Sequence, residues 1–257
     1  MKNLFSIADK TVVITGGSRG LGAMMARGFL ENGARVYISA RKEGELMACA
    51  EELSAYGECI PLVADLGSQA GTEAFAKALQ QREAKIDVLI NNAGASWGAP
   101  LGEFPENGWD KIMQVNVKSM FFLTQMLLPQ LKAAGSKADP ARVINIASIN
   151  GITHPKLENY SYSASKAAVI QLTRHMAADL AKDNVNINGI APGFFASKLT
   201  AYIVDEESVT APTHIPRGRL GQAEDIAGTA IYLASRASAW MCGHTLVLDG
   251  GSVAHAG

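Results

Sequence analysis

Tyr162 and Lys166 stand four residues apart in Tyr162-Ser163-Ala164-Ser165-Lys166, inside an alanine-rich stretch. On a helix, positions i and i+4 share one face. An ammonium beside a phenol favours the phenolate and lowers the tyrosine pKa from its usual value of roughly 10. Tyr162 then suits the role of general acid for an oxygen that gains negative charge. Ser148 lies fourteen positions earlier, just after the β-branched run Arg142–Ile146. A strand end delivers a hydroxyl to the carboxyl edge of a sheet, where it can hydrogen-bond a reacting oxygen. Asn116 falls in a helical stretch, where an interior asparagine carries a mild cost that a functional use would explain. Each residue has a plainer reading. A Y-x-x-x-K pair commonly marks a solvated helix face, and a serine after a strand is commonly a cap. Their company gives them weight. Tyr160 lacks a lysine four residues on, the five histidines form no ligand pair at helical spacing, and no G-x-S-x-G occurs. No metal site is expected.

A second constellation opens the chain. Thr11–Thr15 is a strand run, and it leads into Gly16-Gly17-Ser18-Arg19-Gly20-Leu21-Gly22 and then an amphipathic stretch. Glycines let the backbone turn tightly against a pyrophosphate, and the helix N-terminus adds unpaired N–H groups and a positive dipole end. A glycine trio alone is weak, but strand before and helix after strengthen it. The second strand run ends in Ser39-Ala40-Arg41, with no carboxylate until Glu43. An acidic residue there would serve the free ribose 2′-hydroxyl of NAD. Arg41 and Arg19 instead suit a 2′-phosphate, through charge-assisted bonds. The cofactor expected is NADP(H). Asp65 after the third strand run is a candidate acceptor for the adenine amino group. Asn91-Asn92-Ala93-Gly94 ends the fourth run at the ligand-binding edge, where either asparagine could equally be a turn or cap residue.

These residues need a frame, and the chain supplies one. Short β-branched runs recur at Thr11–Thr15, Arg35–Ser39, Ile60–Ala64, Ile86–Ile90, Arg142–Ile146, Val185–Ile190 and Thr245–Leu248. Helix candidates such as Leu21–Asn32, Glu43–Tyr56 and Thr72–Arg82 lie between them. Near-continuous apolar runs suit strands buried on both faces, and strand-helix alternation implies a parallel sheet with right-handed crossovers. The expectation is one α/β domain over residues 1–257, a doubly wound Rossmann unit of about seven strands with helices on both faces. The stretch at about 194–217 is apolar and turn-rich, a candidate substrate loop or an edge helix. The 257 residues carry 48% hydrophobic and 18% charged side chains and a net charge of −1, which excludes disorder and gives no basic stripe for nucleic acid. Cys49, Cys59 and Cys242 make no paired or zinc spacing. No signal peptide or membrane-length apolar run is seen, so a cytoplasmic protein is expected.

Taken together these residues resemble the short-chain dehydrogenase/reductase family over essentially the whole chain. The family's TGxxxGxG matches Thr15-Gly16 through Gly22, its NNAG matches Asn91–Gly94, and its Asn-Ser-Tyr-Lys tetrad falls on Asn116, Ser148, Tyr162 and Lys166. The resemblance implies that the tyrosine donates a proton, the serine orients a carbonyl, and the asparagine keeps a water for proton relay. The lysine lowers the tyrosine pKa and holds the nicotinamide ribose. It implies a cofactor set of Gly16, Ser18, Arg19, Gly20, Leu21, Gly22, Arg41, Asp65, Leu66, Asn92, Ala93, Gly94, Tyr162, Lys166, Pro192, Gly193, Phe195 and Ser197. Phe195 offers its backbone to the carboxamide and Ser197 replaces the usual threonine. Within the family the chain is similar to 3-oxoacyl reductases, with gluconate 5-dehydrogenases sharing its opening.

A small ketone or acyl-thioester substrate and a homotetramer or homodimer are implied. Trp97, Ile152, Phe194, Phe195, Leu199 and Tyr202 suggest an apolar pocket, which favours an acyl chain over a sugar. A non-catalytic NADPH-binding regulator is the remote alternative, opposed by the intact tetrad. Reductases of this kind that use acyl carrier protein place two arginines beside the pocket. Counting from Ser148 and Lys166, those places fall on Asp139 and Asp183. Two carboxylates there would repel an acidic carrier, with Lys137, Arg142 and Lys182 nearby as partial compensation, so no special affinity for acyl carrier protein is expected, although it stays a possible partner.

Overall fold

The computed structural model describes residues 2–154, 157–195 and 215–254. Seven strands form one parallel sheet: β1 (Thr11–Thr15), β2 (Arg35–Ala40), β3 (Cys59–Val63), β4 (Val88–Asn91), β5 (Ala141–Ile146), β6 (Val185–Pro192) and β7 (Thr245–Leu248). Their spatial order is β3-β2-β1-β4-β5-β6-β7. Between β1 and β4 the order reverses direction, which opens a crevice at the carboxyl edge of the sheet. The glycine turn after β1 and the Asn91–Gly94 turn after β4 are the two walls of that crevice.

Alternation along each strand decides which helix it meets. Val12, Ile14, Val36, Ile38, Val88 and Ile90 pack on one face against α1 (Gly20–Glu31), α2 (Glu43–Leu53) and α8 (Ala223–Ala234). Val13, Tyr37, Leu89, Val143 and Ile187 pack on the other against α3 (Gln69–Arg82), α5 (Ser119–Met126), α6 (Leu128–Ala134) and α7 (Tyr160–Leu180). Every residue of β4, β5 and β6 is buried. Each large aliphatic side chain so covered contributes roughly 1.5–3 kcal/mol of transfer free energy, so the central strands are the rigid part of the frame.

Between α4 (Glu106–Met113) and α5 the helix widens into a π turn over Gln114–Lys118. The plain helical stretch expected around Asn116 is therefore corrected to a π-helix. Such insertions cost backbone energy and concentrate at functional positions.

Asp139 directly precedes β5 and Asp183 directly precedes β6. Both lie at the amino edge of the sheet, a strand length of about 20 Å from the edge that carries Ser148. They are also neutralised within the chain. Asp139 pairs with Lys10 at 2.9 Å and with buried Arg142 at 3.1 Å, and Asp183 pairs with Lys132 at 2.8 Å. The expectation that they stand as bare carboxylates beside the pocket is corrected. A count along the chain carries no information about which edge of the sheet a residue reaches. The two aspartates argue neither for nor against a carrier protein.

Candidate active site

Helix α7 brings Tyr162 and Lys166 onto one face, under the carboxyl ends of β4 and β5. Lys166 is 4% exposed, and its Nζ donates to the backbone oxygen of Ile146 at 2.7 Å. The same ammonium lies 5.5 Å from the centre of the Tyr162 ring. Burial disfavours the charged form and lowers the lysine pKa to about 8. Ser148 follows β5 and is buried, and its Oγ accepts the Asn150 N–H at 3.1 Å, which orients the hydroxyl. A cation that stabilises a phenolate, a phenol and an oriented hydroxyl thus share one edge of the sheet.

Asn116 is also buried, but its side chain is engaged with the protein. Its Oδ1 accepts from Ala95 N at 2.8 Å, and its Nδ2 donates to Ala95 O at 3.0 Å and to Ser165 Oγ at 2.9 Å. Ser165 is fully buried and donates onward to the carbonyl of Tyr162 at 2.7 Å. The amide of Asn116 therefore staples the turn after β4 to α7, and a water held there would need its backbone carbonyl rather than its side chain. Ser165 escaped the sequence reading, although a serine flanked by the two chemical residues on a helix was a signal.

The dinucleotide cradle is built by close approach. Gly16 has φ +65°, and a Cβ on Gly22 would lie 2.2 Å from the Gly16 oxygen, so a side chain at either position would break the turn. Asn92 clamps that turn, its Nδ2 donating to Thr15 O at 2.9 Å and Gly16 O at 3.0 Å. Thr15 Oγ1 in turn accepts from the N–H groups of Asn92 and Ala93, both at 3.0 Å, an anchor the sequence reading did not name. Gly94 differs in kind. A Cβ there would meet Asn116 Oδ1 at 3.5 Å and Lys166 Nζ at 3.7 Å, which is ordinary contact, so the protein's own packing does not require glycine. Gly94 is exposed and leaves open surface beside Lys166, as a ligand lying across the crevice would need. The residues present fit a dinucleotide.

At the adenosine end, Arg19 caps α1 with an extended backbone and no side-chain cap bond, and the first turn of α1 holds no acid. Gly20 and Leu21 open that helix, with Ser18 just before it. Arg41 is exposed after β2. Asp65 is exposed and its Oδ1 accepts the Gly67 N–H at 3.0 Å, while Leu66 is buried. At the far end, Gly193 donates to Leu248 O at 2.8 Å, and a Cβ on it would lie 2.7 Å from that of Asp249. Pro192 closes β6. Phe195 is buried against Gly221, so its ring belongs to the packing rather than to an open pocket. Trp97 packs on Gly108 with Lys111 over its ring at 5.4 Å, and Ile152, just past the turn Ile149–Gly151, is 47% exposed. Ser197, Leu199, Tyr202 and most of the candidate substrate loop lie outside the described residues.

A polar chain beneath the site was also missed. Asn91 donates to Thr124 Oγ1 at 3.1 Å and to Asn145 Oδ1 at 2.9 Å, and Asn145 donates to Thr173 Oγ1 at 3.0 Å. It ties α5, β4, β5 and α7 together. The signal was Asn145 itself, a polar residue inside an apolar strand run.

The family model of the short-chain dehydrogenases matches residues 10–208. The chain belongs to that family. Among its relatives, the rhamnolipids biosynthesis 3-oxoacyl-[acyl-carrier-protein] reductase of Pseudomonas aeruginosa is 47% identical over 98% of this chain and 99% of that protein. The gluconate 5-dehydrogenase of Gluconobacter oxydans is 35% identical, over 97% and 96%. Among solved structures, the Pseudomonas aeruginosa RhlG/NADP active-site complex superimposes with a TM-score of 0.94 at 46% identity, covering 98% and 99%. A gluconate 5-dehydrogenase from Burkholderia cenocepacia in complex with NADP and tartrate gives 0.89 at 33% identity, covering 98% of both chains.

Proposed function

We propose that the chain is an NADPH-dependent oxidoreductase that reduces a ketone to a secondary alcohol, with a 3-oxoacyl thioester as its substrate. The observation that carries the chemistry is the buried Lys166 ammonium, 5.5 Å from the Tyr162 ring and beside the open surface at Gly94. Bound cofactor supplies the hydride for the carbonyl carbon. Tyr162 gives its proton to the carbonyl oxygen, Lys166 stabilises the phenolate that remains, and Ser148 holds that oxygen in line. Gly16 to Gly22 with the N-terminus of α1 would hold the pyrophosphate, and Arg19 and Arg41 the 2′-phosphate. Pro192, Gly193, the Phe195 backbone and Ser197 would hold the nicotinamide end.

The acyl reading is supported by the 47% identical reductase and by the exposed apolar Ile152 four residues past Ser148. The gluconate dehydrogenases support a second reading, a sugar-acid substrate on the same machinery. The two separate in one assay. NADPH oxidation is followed with acetoacetyl- and longer 3-oxoacyl-coenzyme A, 5-ketogluconate and cyclic ketones. A specificity constant that rises with acyl length supports the proposal, and preference for the keto-sugar acid overturns it.

Trp240 is fully exposed and Val247 is 44% exposed on β7, an edge strand of the sheet. A fully exposed tryptophan and an edge strand with an exposed valine support association of copies into a dimer or tetramer. Cys49, Cys59 and Cys242 are all free thiols, in keeping with a reducing cytoplasm.

A further inference from the structure

The corner proposed for the ribose phosphate is already visited by an anion of the chain itself. Glu45 lies in the first turn of α2. One of its carboxylate oxygens is 2.8 Å from Lys42 Nζ and the other 4.0 Å from Arg19 Nη1. Two of the three cations at this corner, Arg19 and Lys42, are thus partly neutralised, and the third, Arg41, adjoins Lys42 in sequence. Glu45 is not required to serve the dipole of α2, because Glu43 also lies in the first turn.

We propose that Glu45 sets cofactor selectivity by competing with a ligand's ribose phosphate for Arg19 and Lys42. A ligand with a 2′-phosphate must draw those cations from Glu45 and bind near a like charge. A ligand with a free 2′-hydroxyl meets no such opposition. Glu45 therefore restrains an NADPH preference that the cations alone would make larger. The inference rests on the NADPH reading given above. The expected size follows from Coulomb's law. A phosphate of nearly two charges at about 6 Å from a carboxylate in water loses about three- to tenfold in affinity at low salt. With a screening length of about 3 Å at molar ionic strength, most of that effect disappears.

The test measures equilibrium binding of NADPH, NADH and adenosine 2′,5′-bisphosphate to the unaltered protein, Glu45→Gln and Arg41→Ala, at low and high salt. Glu45→Gln is expected to bind NADPH and the bisphosphate three- to tenfold more tightly at low salt. The gain shrinks at high salt, and NADH binding stays within twofold. Unchanged or weaker binding of the phosphate ligands, or an equal gain for NADH, overturns the inference. If the unaltered protein prefers NADPH and Arg41→Ala removes the preference while Glu45→Gln does nothing, only the role of Glu45 fails. Equal affinity of the unaltered protein for NADPH and NADH overturns the cofactor reading and this inference with it.

Discussion

Lys166 shows at a single residue how function is set against stability. Its pKa falls from 10.5 to about 8 because burial removes water from the ammonium. Between those values the folded chain binds fewer protons than the unfolded one. The cost is therefore complete below about 8 and is relieved as pH rises towards 10.5. The bond to Ile146 O offsets part of it. Replacing Lys166 by methionine removes the buried charge and fills similar volume. Lys166→Met is expected to be more stable than the unaltered protein at neutral pH by roughly 1–2 kcal/mol. The advantage should fade towards alkaline pH, and turnover should be lost. Urea unfolding at several pH values checks this, and a variant less stable at neutral pH would count against it.

At the scale of elements, helix α7 is held by polar bonds as well as by the core. Asn145 couples β5 to α7 through Thr173 and to β4 through Asn91. Asn145→Ala removes one of the two hydrogen bonds made by Asn91 Nδ2 and by Thr173 Oγ1, both buried, so a loss of about 1–3 kcal/mol is expected. In a double-mutant cycle with Thr173→Ala, the two losses should fall short of additivity by at least about 0.5 kcal/mol. Strict additivity would contradict the coupling. The central strands were legible because runs buried on both faces are mostly apolar, the edge strands because they are short β-branched or apolar runs, and the glycine turn because its neighbours were a strand and a helix. Helix α3 begins at Gln69, ahead of the expected Thr72, because Ser68 caps it by accepting the Gly71 N–H. Tyr162, Lys166 and Ser148 stood out as candidates because their chemistry is written in residue type. The Asn116–Ser165 staple and the π turn did not, because they depend on which buried groups meet across elements. The places of Asp139 and Asp183 failed for the same reason.

For the whole molecule, the strands and helices converge on one crevice, and among the described residues Trp240 is the most exposed of the large apolar side chains. Trp240→Glu is expected to keep the fold and lower the mass in light scattering by at least one association step. An unchanged mass would place the contact between copies on another face. The central claim is that this crevice reduces carbonyls with Tyr162 as the proton donor. The most direct measurement compares the unaltered protein with Tyr162→Phe, recording NADPH binding and NADPH oxidation with a 3-oxoacyl thioester on the same preparations. The account predicts cofactor affinity within about threefold and a loss of turnover of at least about a hundredfold, the scale of general acid catalysis. Substantial turnover by Tyr162→Phe, or no oxidation of NADPH by the unaltered protein with any carbonyl compound in the panel, would contradict it.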